Sequence, residues 1–245
     1  MAIPVDRART QKTVSVLDLG RSAYGHVHAL QVQAVECVRE SQTGEVIILV
    51  EHSPTITLGR RGDAANILAD PEKLADLGIE VHRIERGGDV TYHGPGQLVV
   101  YPILRLHEYV AGASDYMHRL EEVVIRTLSD FGIQAGRRPG LIGVWVGHDK
   151  VCALGVRIRA GVTMHGLALN VDPNMGHWET IVPCGIHDGG VTSMRALLGA
   201  APGMGAVKEC MLARFAEAFG VQLAPVDDAS CWALDGPRAG GPPPA

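Results

Sequence analysis

Aromatic residues make up only 4% of this 245-residue chain, so its interior has to be built from Val, Leu, Ile and Ala. A basic excess is also missing. The net charge is -5 at neutral pH, which argues against general nucleic-acid binding, because that needs a basic face. The five cysteines, Cys37, Cys152, Cys184, Cys210 and Cys231, are odd in number, widely spaced and without any C-x-x-C pair. That pattern offers no zinc spacing and points to a reducing compartment. No G-x-x-x-x-G-K-[ST] segment occurs, so binding of nucleotide phosphates has no direct support. No uninterrupted apolar stretch is long enough to cross a bilayer and no charged-then-apolar leader opens the chain, so a soluble cytoplasmic protein without membrane contact is expected.

What the chain does have is a 46% hydrophobic content that suits one α/β domain or at most two, and its alternating strands and helices, with no linker to divide them, read as an α/β fold with a mixed β-sheet flanked by helices in a single domain. Residues 1–12 read as a loose end, 13–225 as the folded domain, and the Pro/Gly-rich residues 226–245 as a disordered tail. Strands are expected over 13–19, 45–51, 79–84 and 98–104, and helices over 22–40, 71–77 and 114–131. Met117, Leu120, Val124, Leu128 and Phe131 form the apolar stripe of the last of these helices. Residues 143–146, 150–159 and 162–171 read as three consecutive antiparallel strands, with a turn at Ala160-Gly161, followed by helices near Thr192 and over 206–219. Pro54 and Gly59 read as breakers after the third predicted element. His52, just before them, is open between a ligand-facing role and a capped surface histidine. Arginines cluster at Arg60-Arg61, Arg83 and Arg86, Arg137-Arg138, and Arg157 and Arg159, a pattern that fits either an acidic protein partner or solvated strand ends.

The densest chemistry lies in R-G-G-D-V-T-Y-H-G-P-G-Q, from Arg86 to Gln97. Four glycines and a proline among these residues exclude ordinary helix or strand and read as a loop. The side chains between them, Arg86, Asp89, Thr91, Tyr92 and His93, are more than a plain connector needs. A second candidate is Cys184 in V-P-C-G, a cysteine with no apolar period around it. Cys37 and Cys210, by contrast, sit at helical core spacing. A nucleophilic thiol needs a neighbouring cation or base. Lys150 is the candidate partner, because alternation puts it at the head of the row Cys152, Leu154, Val156 and Ile158, and a hairpin turning at Ala160-Gly161 brings it near Val171, where the chain leaves toward Cys184. A lysine desolvated there gives up its proton more readily and can take one from a thiol. The alternative is a strand's first residue reaching solvent.

These segments resemble the octanoyltransferases of lipoate biosynthesis. The resemblance rests on R-G-G-D-V-T-Y-H-G-P-G-Q, on G-V-W-V-G-H-D-K-V-C-A-L-G-V-R-I from Gly143, on H-G-L-A-L-N-V from His165, and on I-V-P-C-G-I from Ile181 with V-T-S from Val191, in family order across roughly 200 residues. It implies the fold of the biotin and lipoate ligase catalytic domains. It also implies transfer of an octanoyl group from octanoyl-acyl carrier protein to a lysine of lipoyl domains, those of 2-oxoacid dehydrogenase complexes and the glycine cleavage H protein, with no cofactor and no metal. By the same resemblance Cys184 becomes the acyl-enzyme and Lys150 serves as its acid and base. Arg86, Gly87, Gly88, Asp89, Val90, Thr91, Tyr92, His93, Ala153, Leu154, Gly155, Gly166, Leu167 and Ala168 bind the substrate. Backbone N–H groups near Cys184 or residues 153–155, with the His93 side chain, are the expected oxyanion donors.

Three rival readings are weighed against this one. An ATP-dependent ligase of the lipoate or biotin type needs an adenylate site and no cysteine nucleophile. A hydrolase pairing Cys184 with His165 or His187 lacks a Cys-His signature around those residues. A metal-binding module built from His165, His177 and His187 lacks an H-x-x-x-H pair. Cys152, two residues from Lys150, is either a competing thiol or a small packed hydrophobe, and the second is favoured.

Overall fold

The computed structural model describes residues 11–183 and 189–226. The chain runs β1 (Lys12–Ser22), α1 (Tyr24–Arg39), β2 (Val46–His52), β3 (Thr55–Leu58), α2 (Pro71–Asp76), β4 (Glu80–Arg83), β5 (Val90–His93), β6 (Gln97–Ile103), α3 (Ala113–Asp130), β7 (Gly136–Arg138), β8 (Leu141–Val146), β9 (Asp149–Arg159), β10 (Val162–Asn170), α4 (Met194–Leu198), α5 (Met204–Phe219) and β11 (Val221–Pro225). Eight strands form one mixed sheet in the order β11-β1-β2-β6-β10-β9-β8-β7, parallel across β11-β1-β2 and antiparallel beyond. A second sheet, β4-β3-β5, stands apart from it.

Alternation along the central strands divides the core in two. Ile47, Leu49, Leu98, Val100, Leu167 and Leu169 pack with Leu120, Val124, Leu128, Met211 and Phe215 of α3 and α5. Val46, Ile48, Val50, Val99, Tyr101 and Ala168 pack on the opposite face with Val27, Leu30, Ala34 and Val38 of α1. With both faces covered, a continuous run such as V-I-I-L-V is what β2 requires. The α3 stripe is as expected at Leu120, Val124 and Leu128, but Tyr116 is the buried residue at its start and Met117 is only half-buried. Cys37 and Cys210 are likewise half-buried and not core fillers.

The Arg86–Gln97 stretch is not all loop. Val90–His93 is strand β5, fully buried and antiparallel to β3. Its glycines lie on either side of a β-prone V-T-Y-H, so they bound a strand and do not prevent one. The same correction applies to β3. Pro54 stands just outside that strand and its carbonyl accepts from the Glu80 N–H at 3.1 Å, while Thr55–Leu58 is completely buried. Strands β7 and β11 are too short for a hydrophobic period and were not expected. Lys12, placed in the loose end, is the first residue of β1. Otherwise the loose end and the 226–245 tail lie almost wholly outside the described residues.

The β9-β10 hairpin turns at Ala160 and Gly161, both at positive φ, with Arg159 paired to Val162 and Cys152 to Leu169. This is the expected register. Two details near Lys150 differ. β10 ends at Asn170, and beyond the ladder Lys150 bridges Val191 in parallel. The β8-β9 ladder also carries a bulge: Val144 pairs with Cys152 but Trp145 with Lys150, leaving Val151 extra. Val151 and Cys152 both join the α3-side core, so the expected row stops at Cys152 and Lys150 does not head it.

Candidate functional site

A cleft opens on the α1 face of the large sheet, where Arg86 and Gly87, ahead of β5, lie against β9. Arg86, Gly88, Asp89, Thr91, His93, Ala153, Leu154, Gly155, Gly166, Leu167 and Ala168 line it, which brings together residues from three separate motifs. Tyr24, Val99, Tyr101 and His165 complete the wall. Spacing alone does not reveal Tyr24, Val99 and Tyr101, because α1 and β6 reach the cleft only through packing, whereas His165 stands beside Gly166 on β10. Gly87, Val90 and Tyr92 do not line it. The Gly87 N–H is tied to the Val156 carbonyl at 3.0 Å. Val90 and Tyr92 face the core of the small sheet, where the Tyr92 hydroxyl meets His177 Nδ1 at 2.7 Å.

Two small residues expected to leave room for a ligand are small for another reason as well. A Cβ at Gly166 would overlap the Val100 carbonyl oxygen and stand 2.9 Å from Pro102 Cδ. One at Gly155 would come within 3.1 Å of the Gly87 carbonyl and of Arg86 Cδ. The chain itself fills those spaces.

The polar groups of the cleft are held from behind. Arg86, 8% exposed, donates from Nε to Thr57 Oγ1 at 3.2 Å and from Nη2 to the Thr57 carbonyl at 2.6 Å. Asp89 accepts from the Asp63 N–H at 3.0 Å and from Asn66 Nδ2 at 2.6 Å, so it braces the 63–66 turn. His93 Nδ1 meets Gln97 Oε1 at 2.8 Å, while Gln97 Nε2 donates to the Tyr92 carbonyl and to Asn170 Oδ1. That orientation of the amide makes His93 Nδ1 the protonated nitrogen and Nε2 a lone pair. Burial pushes the His93 pKa down to about 3, with nearby His52 adding to it. A neutral imidazole in this tautomer accepts at Nε2 and does not donate, which removes the His93 side chain from the expected oxyanion donors. His52 is not a surface residue. It is fully buried, with Nε2 at 2.8 Å from the Tyr101 hydroxyl, and burial lowers its pKa to about 4.

The chain of hydrogen bonds continues from His93 and Gln97 through Asn170, whose Nδ2 donates to the Thr192 carbonyl at 3.0 Å. The Thr192 N–H in turn donates to the Lys150 carbonyl at 3.0 Å, and the Lys150 N–H to the Gly190 carbonyl at 2.9 Å. Lys150 is 7% exposed, and its ammonium stands 4.8 Å from the centre of the Trp145 ring. It lies outside the cleft lining, about 10 Å along β9 from Ala153. Cys184 lies outside the described residues, between Pro183 and Gly189. Cys152 is fully buried in the α3-side core, and burial pushes its thiol far above the usual range, which fits a packed hydrophobe. Among the described residues, ligand atoms of His28, Glu85 and His165 converge at the edge of the cleft.

Comparison with known proteins follows the same outline. Residues 23–216 match the family model of the lipoyl protein ligase A/B catalytic domain. The octanoyltransferase of Chloroflexus aurantiacus is 45% identical over 214 residues, which cover 86% of this chain and 96% of the relative. That of Alkaliphilus metalliredigens is 44% identical over 214 residues, covering 86% and 97%. Among solved structures, lipoate-protein ligase A bound with ATP aligns with a TM-score of 0.70 over 91% of each chain at 14% identity, a likeness of fold.

Proposed function

Because the chain belongs to the lipoyl protein ligase A/B catalytic-domain family and is an octanoyltransferase of lipoate biosynthesis, we propose that it carries the octanoyl group as a thioester on Cys184 between two protein partners. The donor is octanoyl-acyl carrier protein. The acceptor is the lysine amine of lipoyl domains, those of 2-oxoacid dehydrogenase complexes and the glycine cleavage H protein. The odd number of unpaired-pattern cysteines suits a reducing compartment, the cytoplasm.

In the first half-reaction the Cys184 thiolate attacks the octanoyl carbonyl carbon. The new C–S bond forms, the bond to the carrier sulfur breaks, and the carrier thiolate takes a proton from the Lys150 ammonium. In the second half the acceptor amine attacks the same carbon, Lys150 removes its proton, and the Cys184 sulfur leaves as an amide forms. Thioester exchange is near thermoneutral and amide formation runs downhill, so neither half requires ATP. Backbone N–H groups near Cys184 or on residues 153–155 serve the oxyanion.

The observation that carries this reading is the position of Lys150. It is buried, and its backbone is joined on both sides to Gly190 and Thr192, the chain that follows Cys184 by a few residues. The apolar Val99, Ala153 and Ala168 in the cleft suit an acyl tail. Incubation with octanoyl-acyl carrier protein and a lipoyl domain, without ATP, should add one octanoyl group to the lipoyl domain by intact mass. A +octanoyl adduct should be trapped on wild-type enzyme and not on C184A. A K150A enzyme should form the adduct ~100-fold more slowly or worse; an unaltered rate removes Lys150 from the mechanism.

A further inference from the structure

We propose that His28, Glu85 and His165 form a binding site for a divalent transition-metal ion at the edge of the cleft. Their ligand atoms all lie within 4.8 Å of one another. His28 Nε2 and Glu85 Oε2 are 3.4 Å apart, about the separation of two tetrahedral ligands with bonds near 2.1 Å. Two nitrogens and one oxygen suit zinc or its neighbours and not magnesium, which prefers oxygen alone.

Independent features point to a ligand here. His165 is 2% exposed, yet its Nε2 has no hydrogen-bond partner. An orphaned buried nitrogen is costly unless something fills the place beside it. The His165 backbone also takes φ 57, a left-handed conformation that a non-glycine residue adopts only when its surroundings hold it there. It is held there by Gln31 Oε1, which accepts the His165 N–H at 2.8 Å. His28 and Gln31 sit three residues apart on one side of α1, so the helix that braces the His165 backbone also brings the second imidazole. Glu85 keeps Oε1 on Arg157 Nη1 at 2.9 Å and presents Oε2 to His28. His28 and Glu85 side chains are 26% and 30% exposed, which gives an ion its route in.

Three protein ligands leave a position open to solvent or to the cleft, because His165 also lines the cleft wall. An ion there therefore obstructs whatever enters. That consequence rests on the octanoyl-transfer reading; the binding itself does not.

The test uses untagged full-length protein stripped with chelator. Zn2+ is titrated by calorimetry and Co2+ by visible absorption, in wild type, H28A and E85Q. One ion per chain is expected, with affinity at least about 10-fold weaker in each variant and a cobalt spectrum free of thiolate charge transfer. Equal binding by H28A and E85Q, no binding by wild type, or a thiolate band that assigns the ion to cysteine would each overturn the site. In the transfer assay Zn2+ should slow wild type and leave H28A at its metal-free rate. Equal inhibition of both overturns the obstruction while leaving the calorimetry to judge the site.

Discussion

Replacing Gly166 by alanine separates two reasons for a small residue in the cleft. Gly166 lies on β10, and its neighbour Leu167 pairs with Val100 of β6 in the middle of the large sheet. The added methyl would overlap the Val100 carbonyl and press on Pro102 Cδ at 2.9 Å. Ordinary contact between such atoms needs 3.4 Å or more. The overlapped atom is backbone, so no side-chain rotation relieves it, and the two central strands have to part locally. Overpacking of a buried site costs about 1–3 kcal/mol, and parted ladder hydrogen bonds add about 1 kcal/mol each, so G166A should lose about 3 kcal/mol or more. For a domain of this size that lowers Tm by about 6–12 °C. The assay is urea and thermal unfolding followed by circular dichroism, with G44A as control, because a Cβ at Gly44 meets nothing within 4 Å. G44A should be unchanged or slightly stabilised, by less than about 1 kcal/mol. A G166A protein as stable as wild type but unable to transfer octanoyl would refute the argument, since the space would then serve the ligand alone.

Acid should destabilise the protein through its buried imidazoles. His52 and His93 have folded-state pKa values lowered to about 4 and about 3, so the unfolded chain takes up protons first as pH falls below about 6.5. Stability present above that pH should fall toward pH 4, by about 2 kcal/mol for each histidine at pH 5; a flat urea midpoint between pH 7 and 5 contradicts this. Cys152 should resist iodoacetamide at pH 8 in native protein, because it is fully buried with its thiol pushed up; a mass-mapped adduct on it would restore the competing-thiol reading. R86K should lose about 1–3 kcal/mol in urea unfolding, because an ammonium cannot reproduce the fork that holds both Thr57 oxygens. Unchanged stability in R86K would mean that Thr57 finds another donor.

The β2 run, the α3 stripe and the β9-β10 hairpin were legible because each follows from a local rule: continuous β-branched residues, a helical period, and a turn between two alternating segments. β3 and β5 were missed for a related reason. Proline and glycine at their ends read as chain breakers, but they only set where each strand stops, and pairing between residues far apart in sequence decides the rest. The row proposed for Lys150 failed at a bulge, because one extra residue at Val151 shifts the alternation and nothing in the residue types announces it.

The sequence by itself determined the family motifs, the absence of a nucleotide loop, the mixed α/β character and most of the residues that meet at the cleft. These depend on chemistry carried within short segments. Only the tertiary structure decided that Tyr92 turns into the small-sheet core while His93 faces the cleft, that Tyr24, Tyr101 and His165 complete the wall, and that α1 brings His28 beside Glu85 and His165. Those outcomes belong to packing between elements distant along the chain, where a side chain's neighbours are set by which strands pair and which helix covers them.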